Sequence, residues 1–174
     1  MTAKADPVQH IPKYQQLQRM ATERYPSLDA TALEAYLTLL GVAHEVEAAS
    51  GANLARYGLA EGRHLVLGLL LKHHPAPLSH SQLAELSGVT KGNITGLVDG
   101  LERDGHVERK ESGDDRRVTP IALTPAGHRL IEKILPDRYR RIAELMGNLS
   151  TSERKTLVSL LVKVQAGLPA FRRE

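Results

Sequence analysis

The chain has 174 residues, of which 41% are hydrophobic and only 3% aromatic, so a packed core must be built mainly from Leu, Ile, Val and Ala. It contains no cysteine, which excludes a disulfide framework, a thiol nucleophile and a zinc cluster with cysteine ligands. The net charge of +3 is mildly basic, which is compatible with a nucleic-acid partner but does not require one.

The first part of the chain is predicted to be helical. Apolar side chains recur at helical spacing in 14–25. They recur again in a longer segment, which Ser27 or Asp29 can cap and which ends near Tyr57. The apolar positions of this longer helix are Leu33, Tyr36, Leu37, Leu40, Ala43 and Val46. A third helix, at 61–73, is apolar on most sides, which predicts a largely buried position.

No segment has the features of a secretory signal or a membrane anchor. Residues 1–16 contain no apolar core. The longest apolar run, 65–71, is far shorter than the roughly 20 residues that a membrane span needs. We therefore expect a cytoplasmic protein with no membrane partner.

The segment 78–123 begins with two short helix patterns separated by a tight break. Ser79 can cap the first helix, and a connector that contains Gly88 follows it. Thr90 can cap the second helix, which we expect to end near Asp104. Two helices joined in this way are typical of a helix-turn-helix, in which the second helix enters the DNA major groove.

The second of these helices is predicted to have an apolar and a polar face. At about 100° per residue, the inward stripe consists of Ile94, Leu97, Val98 and Leu101. The opposite face presents Gly92, Asn93, Thr95, Gly96, Asp99 and Arg103. An Asn amide matches the adenine edge, and a Lys or Arg can pair with guanine or phosphate. Gly92, Gly96 and Gly100 either let the backbone approach the groove closely or are tolerated in a helix that its core holds, and the sequence leaves both explanations open.

Two strand patterns follow, at 106–111 and 117–123, and predict a β-hairpin. Its turn places two acidic side chains beside Arg116 and Arg117, and an arginine held by an aspartate suits the narrow, electronegative minor groove. Over 90–118, however, six basic side chains stand against seven acidic ones. Binding to DNA would therefore depend on specific geometry more than on bulk charge. Pro120 has no N–H to donate, which predicts an edge strand.

Two helices are predicted after the hairpin. Thr124 is a good N-cap, and Pro125 suits the first helical position. Pro136 lies inside this helix and is expected to bend it rather than end it. Ser150 and Glu153 form a capping box that opens the last helix. The apolar positions of that helix are Leu157, Leu160, Leu161 and Val164.

These motifs closely resemble the winged helix-turn-helix of the multiple-antibiotic-resistance regulator (MarR) family. The resemblance rests on LAELSGVTKGNITGLVDGLERDGHVER, on the wing signature Asp115-Arg116-Arg117, and on LTPAG at the start of the next helix. It implies a mainly α fold with a small β-hairpin wing (α+β), flanked by dimerisation helices. The implied parts are an N-terminal extension with dimerisation helices (1–57), the winged helix-turn-helix DNA-binding lobe (58–123) and C-terminal dimerisation helices (124–174).

The resemblance also implies a function. Members of this family are sequence-specific transcriptional regulators, most often repressors, that bind a pseudo-palindromic operator on double-stranded DNA as homodimers. A small and frequently phenolic ligand releases them. No cofactor is expected.

The DNA contacts are carried over residue by residue. Major-groove contacts are expected from Thr90, Lys91, Asn93 and Thr95, and phosphate contacts from Ser79, Ser81 and Gln82. Arg117, held by Asp115, is expected in the minor groove, although the sequence leaves open whether Arg116 or Arg117 reaches deeper. Arg103, on the exposed face of the second helix, completes the DNA-binding set.

An effector site is expected where the dimer helices meet the DNA-binding lobe. The polar and aromatic residues predicted there are Tyr36, His44, Tyr57, Arg63 and His64. Because Arg63 or a histidine can receive an anion, we expect a small aromatic or anionic effector.

Other functions fit the sequence less well. Eight histidines raise the alternative of a metal-responsive regulator, but the neighbours His73 and His74 point about 100° apart on a helix and form a poor chelate. No metal site is therefore expected. The motifs G-x-S-x-G, P-loop and H-E-x-x-H do not occur, so an enzyme is not expected. The near-neutral charge of 90–118 leaves open a dimeric interaction module of the same fold without specific DNA binding.

Overall fold

The computed structural model describes residues 19–21, 23–25, 27, 29–110 and 119–171. The chain forms two compact units, 1–64 and 65–174. In chain order the elements are α1 (Ala30–Ala55), α2 (Glu61–His73), α3 (His80–Ser87), α4 (Lys91–Arg103), β1 (Val107–Arg109), β2 (Ile121–Leu123), α5 (Pro125–Leu145), α6 (Thr151–Ala166) and a 3-10 helix (Leu168–Phe171). Among the described residues, no helix combines the length and the apolar character needed to cross a membrane.

The helix α1 begins at the cap provided by Asp29. The Asp29 carboxylate accepts hydrogen bonds from the backbone N–H groups of Thr31 (3.0 Å) and Ala32 (3.1 Å). The hydrogen bond from the Thr31 hydroxyl, followed by those from the backbone, lowers the pKa of this carboxyl group. Of the two predicted caps, Asp29 is therefore the one that the helix uses.

The apolar stripe predicted for α1 is only partly covered within the chain. Leu37 and Leu54 are buried, whereas Tyr36 and Leu40 keep about two fifths of their surface exposed, 42% and 40% respectively. The helix itself is confirmed, but Leu37 is the one predicted position of its apolar face that the described part of the chain buries.

Local capping interactions determine where the two helices of the helix-turn-helix, α3 and α4, begin and end. The Ser79 hydroxyl accepts from the Gln82 N–H, and the Gln82 side chain accepts from the Ser79 N–H, which forms a capping box. Gly88 ends α3 with a φ of +69°, a left-handed conformation that residues with a Cβ rarely adopt. Thr90 then caps α4. The turn between the helices thus has the residue types that its geometry requires.

The β-hairpin is short and is joined by a third segment. β1 and β2 pair antiparallel, with Val107 opposite Leu123 and Arg109 opposite Ile121. Leu78, just before α3, exchanges two backbone hydrogen bonds with Ile121 on the other side of β2 (2.9 and 2.8 Å). β2 is thus an edge strand of the two-stranded sheet, as predicted, with an isolated bridge to Leu78 on its outer side. Pro120 is accommodated because it precedes β2 and contributes its carbonyl oxygen, which accepts from Lys110.

The core of the second unit is aliphatic, as the composition requires. Its buried side chains are Val66, Leu67, Leu70, Leu78, Leu83, Ile94, Val98, Leu101, Val107, Ile121, Ile131 and Ile134. Each such side chain contributes about 1.5–3 kcal/mol to folding. On α3, Leu83 is buried, whereas Leu86 is 46% exposed.

The last two helices leave much apolar surface uncovered. α5 runs without a break through Pro136, as predicted, and buries only its first half through Gly127, Ile131 and Ile134. α6 buries no residue at all within the described part of the chain. Its exposed apolar side chains are Leu157, Val158, Leu160, Leu161, Val162 and Val164.

Candidate nucleic-acid interface

The helix α4 has a buried apolar face and an exposed polar face. Ile94, Val98 and Leu101 have no exposed surface, and Leu97 is half-buried. The residues predicted on the opposite face are all exposed, namely Gly92, Asn93, Thr95, Gly96, Asp99 and Arg103. The predicted division of the helix into two faces is therefore confirmed, except that Leu97 lies at the margin of the core.

The first turns of α4 carry the side chains suited to a DNA groove. The Thr90 hydroxyl accepts from the N–H of Asn93 at 3.4 Å, which leaves the Asn93 side-chain amide on the exposed surface. The Thr95 hydroxyl donates to the Lys91 carbonyl at 3.1 Å, so its oxygen can still act as an acceptor. Lys91 is exposed at the helix N-terminus, where the helix dipole also favours an anion such as phosphate.

The start of α3 holds the three residues predicted to contact phosphates. Ser79 and Gln82 fix each other through the capping box, at 2.8 and 3.2 Å. Ser81 lies between them and is exposed. The three side chains therefore belong to one helical turn at the N-terminus of a helix, which is a favourable position for an anion.

An ion-pair cluster that sequence reasoning missed joins α4 to β1. One terminal nitrogen of Arg109 lies 2.5 Å from a carboxylate oxygen of Asp99, and the other pairs with Glu102. The other arginine near the end of α4, Arg103, is 75% exposed and lies 3.8 Å from Asp104. The available signal was the spacing of Asp99 and Glu102, one helical turn apart, together with an arginine in the strand that follows.

His80, the first residue of α3, lies close to this cluster. Burial of the imidazole, and then the positive charge of Arg109, lower the pKa of His80, while Asp99 and Glu102 act in the opposite direction. The imidazole is therefore held mainly in its neutral form at neutral pH.

The predicted wing residues Asp115, Arg116 and Arg117 lie outside the described residues. The stem of the hairpin is described up to Lys110, whose N–H donates to the Pro120 carbonyl at 2.7 Å. This bond continues the pairing of β1 and β2 towards the turn. The assignment of these three residues to the minor groove stays a prediction.

The five predicted effector residues are not all brought together. Tyr36 and His44 are exposed on α1, eight residues apart, which corresponds to about 12 Å along the helix. Tyr57 follows the far end of α1, about 28 Å along the axis from Tyr36. No small molecule can touch both tyrosines of one chain. Tyr57, Arg63 and His64 are half-buried near the junction of α1 and α2, where the Ser50 hydroxyl also donates to the Glu61 carboxylate.

A groove in the first unit includes none of these five residues. It is open, has a volume of about 390 Å³, and is lined by Met20, Ala21, Arg24, Tyr25, Leu33 and Leu37. Its lining is mostly apolar, with one arginine. The sequence pattern predicted a helix at 14–25, of which the described residues 19–21 and 23–24 are helical, but it gave no sign of this groove.

Histidines do not form a metal centre in the part of the chain that the structure describes. No three side chains of His, Asp or Glu come together there in an arrangement that could hold a metal ion. Instead, the His74 ring packs edge-on against the His128 ring, with centroids 5.3 Å apart. His128 in turn lies 3.2 Å from the Glu132 carboxylate.

Comparison with known proteins identifies this arrangement. The sequence profile of the MarR family matches residues 57–118. The chain is 36% identical to the HTH-type transcriptional repressor YetL of Bacillus subtilis over 165 residues, which cover 95% of this chain and 98% of YetL. The chain belongs to the MarR family. The predictions of a winged helix-turn-helix and of a transcriptional regulator are thereby confirmed.

Other relatives agree with MarR-family membership. The transcriptional repressor MprA of Escherichia coli is 29% identical over 121 residues, which cover 70% of this chain and 69% of MprA. The fold is similar to that of MepR in the crystal structure of the S. aureus MepR-DNA complex, with a TM-score of 0.70 and 23% sequence identity. That match covers 76% of this chain and 96% of MepR.

Proposed function

We propose that this MarR-family regulator is a cytoplasmic repressor that binds a pseudo-palindromic operator as a homodimer. The observation that carries the proposal is the exposed polar face of α4, opposite the fully buried Ile94, Val98 and Leu101. Such a helix can enter a groove without disturbing its own packing. YetL and MprA are both named as repressors, which supports negative regulation.

The first half of α4 would read the major groove. Asn93 supplies an amide that can bind adenine in a bidentate manner, and Thr95 supplies a methyl group that suits thymine. Lys91 would contact guanine or a phosphate, while Thr90 caps the helix. Arg103, at the far end of α4 and largely exposed, would reach the DNA backbone.

Residues outside α4 would fix the register of the protein on the duplex. Ser79, Ser81 and Gln82 sit together at the start of α3 and would bind phosphates through their polar groups and the helix N-terminus. The wing arginines would enter the minor groove on one side, with Asp115 holding Arg117. Phosphate contacts of this kind position a protein without distinguishing sequences.

The homodimer would form through the uncovered apolar surface of α5 and α6. Tyr139, Ile142 and Leu145 are 64%, 46% and 52% exposed on the second half of α5. The exposed apolar side chains of α6 add to them, and uncovered apolar side chains on two consecutive helices are typical of an interaction surface. A two-fold dimer would place two copies of α4 in successive major grooves, about 34 Å apart, which explains the expected symmetry of the operator.

An anionic or aromatic effector would bind near the junction of α1 and α2. Tyr57, Arg63 and His64 are the predicted residues that this junction retains, and they supply an aromatic ring, a cation and an imidazole. Calorimetric titration with a panel of aromatic acids tests the proposal. Binding that persists unchanged in both Arg63→Ala and His64→Ala variants would show that the effector does not bind here.

Binding to the DNA upstream of its own gene tests the main proposal. Fluorescence anisotropy at about 0.15 M salt should show at least a hundredfold preference over a random duplex of equal length. Asn93→Ala should reduce that preference, because it removes a base contact. Lys91→Ala should instead weaken binding to both duplexes and lower the salt dependence. Lys72→Ala, an exposed lysine on α2, is the matched control and should change neither.

A genome-wide footprint of the bound protein extends this test to all operators. Sites with two half-sites about one duplex turn apart are expected. Equal affinity for every duplex in both experiments would favour the interaction module without specific DNA binding.

A further inference from the structure

The charge of the α4 region is an obstacle to DNA binding. Between 90 and 110 there are four basic and four acidic side chains, so the region has no net positive charge. Two of the acids, Asp99 and Glu102, lie on α4 itself. Exposed carboxylates on a helix that enters a groove face the DNA phosphates and repel them.

These two acids lie on the same side of α4 as a residue proposed to read bases. Asp99 is four residues after Thr95, and Glu102 is seven residues after it, so all three share one helical face. The side chains of Asp99 and Glu102 are 56% and 36% exposed, respectively. The exposed surface of α4 thus carries Lys91 and uncharged polar groups in its first turns, and both acidic side chains in its last turns, next to Arg103.

Arg109 covers both carboxylates. Its guanidinium uses separate nitrogens for Asp99 and Glu102, a fork geometry that a single lysine could not reproduce. Its backbone is fixed in β1 opposite the buried Ile121, so the guanidinium is delivered from a rigid strand. Only 32% of its side chain is exposed, less than that of either partner.

Lys91 stands at the opposite end of the helix and makes no ion pair with any residue that the structure describes. With Arg109 in place, the charges of this cluster sum to −1 instead of the −2 of the two carboxylates alone, while Lys91 adds a positive charge at the helix N-terminus. This is the end that we propose enters the groove first.

We propose that Arg109 is a positioning residue for DNA recognition, which reduces the negative charge of Asp99 and Glu102 so that α4 can approach the phosphates. This inference rests on the proposed function, because it assumes that α4 faces DNA. In this inference the carboxylates of Asp99 and Glu102 make no contact with bases. Their role would be to hold the Arg109 side chain between β1 and α4.

Charge-neutral variants of the three residues test this inference in the full-length protein. Arg109→Met keeps an unbranched stem but leaves both carboxylates unpaired, and it should weaken operator binding by about ten- to a hundredfold. Adding Asp99→Asn and Glu102→Gln to that variant should restore affinity to within about threefold of the wild type. Asp99→Asn and Glu102→Gln with the native Arg109 should bind at least as tightly as the wild type.

The salt dependence gives a second readout that a purely structural role would not change. Because salt screens the repulsion between carboxylates and phosphates, the loss caused by Arg109→Met should shrink as salt is raised. Lys72→Met is the matched control, because Lys72 is an exposed cation on α2 that belongs neither to this cluster nor to the proposed dimer surface. It should leave operator affinity unchanged. Circular dichroism and thermal melts verify that each variant is folded.

The outcomes separate this inference from the proposed function. If the wild type shows no preference for its operator, the proposed function fails and the inference falls with it. If the wild type binds but the triple variant stays as weak as Arg109→Met, the proposed reduction of negative charge is wrong. Weaker binding of the Asp99→Asn, Glu102→Gln variant with native Arg109 would also overturn it, because the ion pairs themselves would then be required.

Discussion

Replacing Gly127 with alanine is expected to lower the free energy of unfolding by about 1–3 kcal/mol, although alanine normally favours a helix. A Cβ on Gly127 would lie 2.8 Å from the carbonyl carbon of His106 and closer still to its oxygen, whereas real Cβ atoms essentially never approach within 3.0 Å. The obstacle is backbone rather than a movable side chain. The start of α5 or the turn before β1 must therefore shift.

The magnitude follows from the contacts that such a shift disturbs. Overpacking of this kind costs about 1–3 kcal/mol. The Thr124 N–H donates to the His106 carbonyl at 3.1 Å, and the Thr124 hydroxyl donates to the Gly105 carbonyl at 2.7 Å. Weakening either bond costs about 0.5–1.5 kcal/mol. The helix propensity of alanine offsets up to about 1 kcal/mol of this total.

Thermal and urea unfolding measure the effect. For a chain of this size the melting temperature should fall by roughly 3–10 °C. Gly68→Ala is the matched control, because Gly68 lies inside α2 and a Cβ there meets nothing within 4 Å. That variant should be unchanged or more stable. A Gly127→Ala protein as stable as the wild type would refute the close approach between α5 and the turn at His106.

Two further predictions concern the dimer and pH. Leu161→Glu, on the exposed face of α6, should give a monomer by light scattering and weaker operator binding. Leu161 is 40% exposed in the chain, so losing it from both copies of a two-fold interface removes about 1–2 kcal/mol of apolar burial, and the substitution also places two carboxylates there. An unchanged dimer would mean that this face is not the interface. The lowered pKa of His80 means that the folded state disfavours the protonated imidazole, so stability is full above the ordinary histidine pKa near 6.5 and declines as the pH falls from there towards the folded-state pKa. Urea unfolding between pH 8 and 5 should show this decline, and His80→Gln should reduce it. An identical pH profile in the variant would show that His80 does not cause the decline.

Features that depend on neighbouring residues were predictable from the sequence. The caps at Ser79, Thr90, Thr124 and Ser150 occur as predicted, because each uses a side chain within three residues of the N–H group that it binds. The apolar stripe of α4 was predictable for the same reason, since helical periodicity is a local property.

Features that depend on distant residues were not predictable. α1 and α6 are helices as predicted, but most of their predicted apolar positions are not buried within the described part of the chain, because periodicity does not say what covers a face. The spacing of Asp99 and Glu102 marks a pair of acids one turn apart, but the pairing with Arg109, ten residues after Asp99, depends on how β1 returns along α4. The pairing of Leu78 with Ile121 likewise depends on the fold of the intervening segment.

That pairing has a consequence for how the protein is synthesised. Leu78 reaches its hydrogen-bonding partner only 43 residues later in the chain, after both α3 and α4 have been made. Closing so long a loop costs conformational entropy, and no hydrogen bond to β2 offsets that cost until β2 has been synthesised. A nascent polypeptide therefore finishes this sheet only once residue 123 has left the ribosome, and a product truncated before β2 would carry both helices without the strand that secures them.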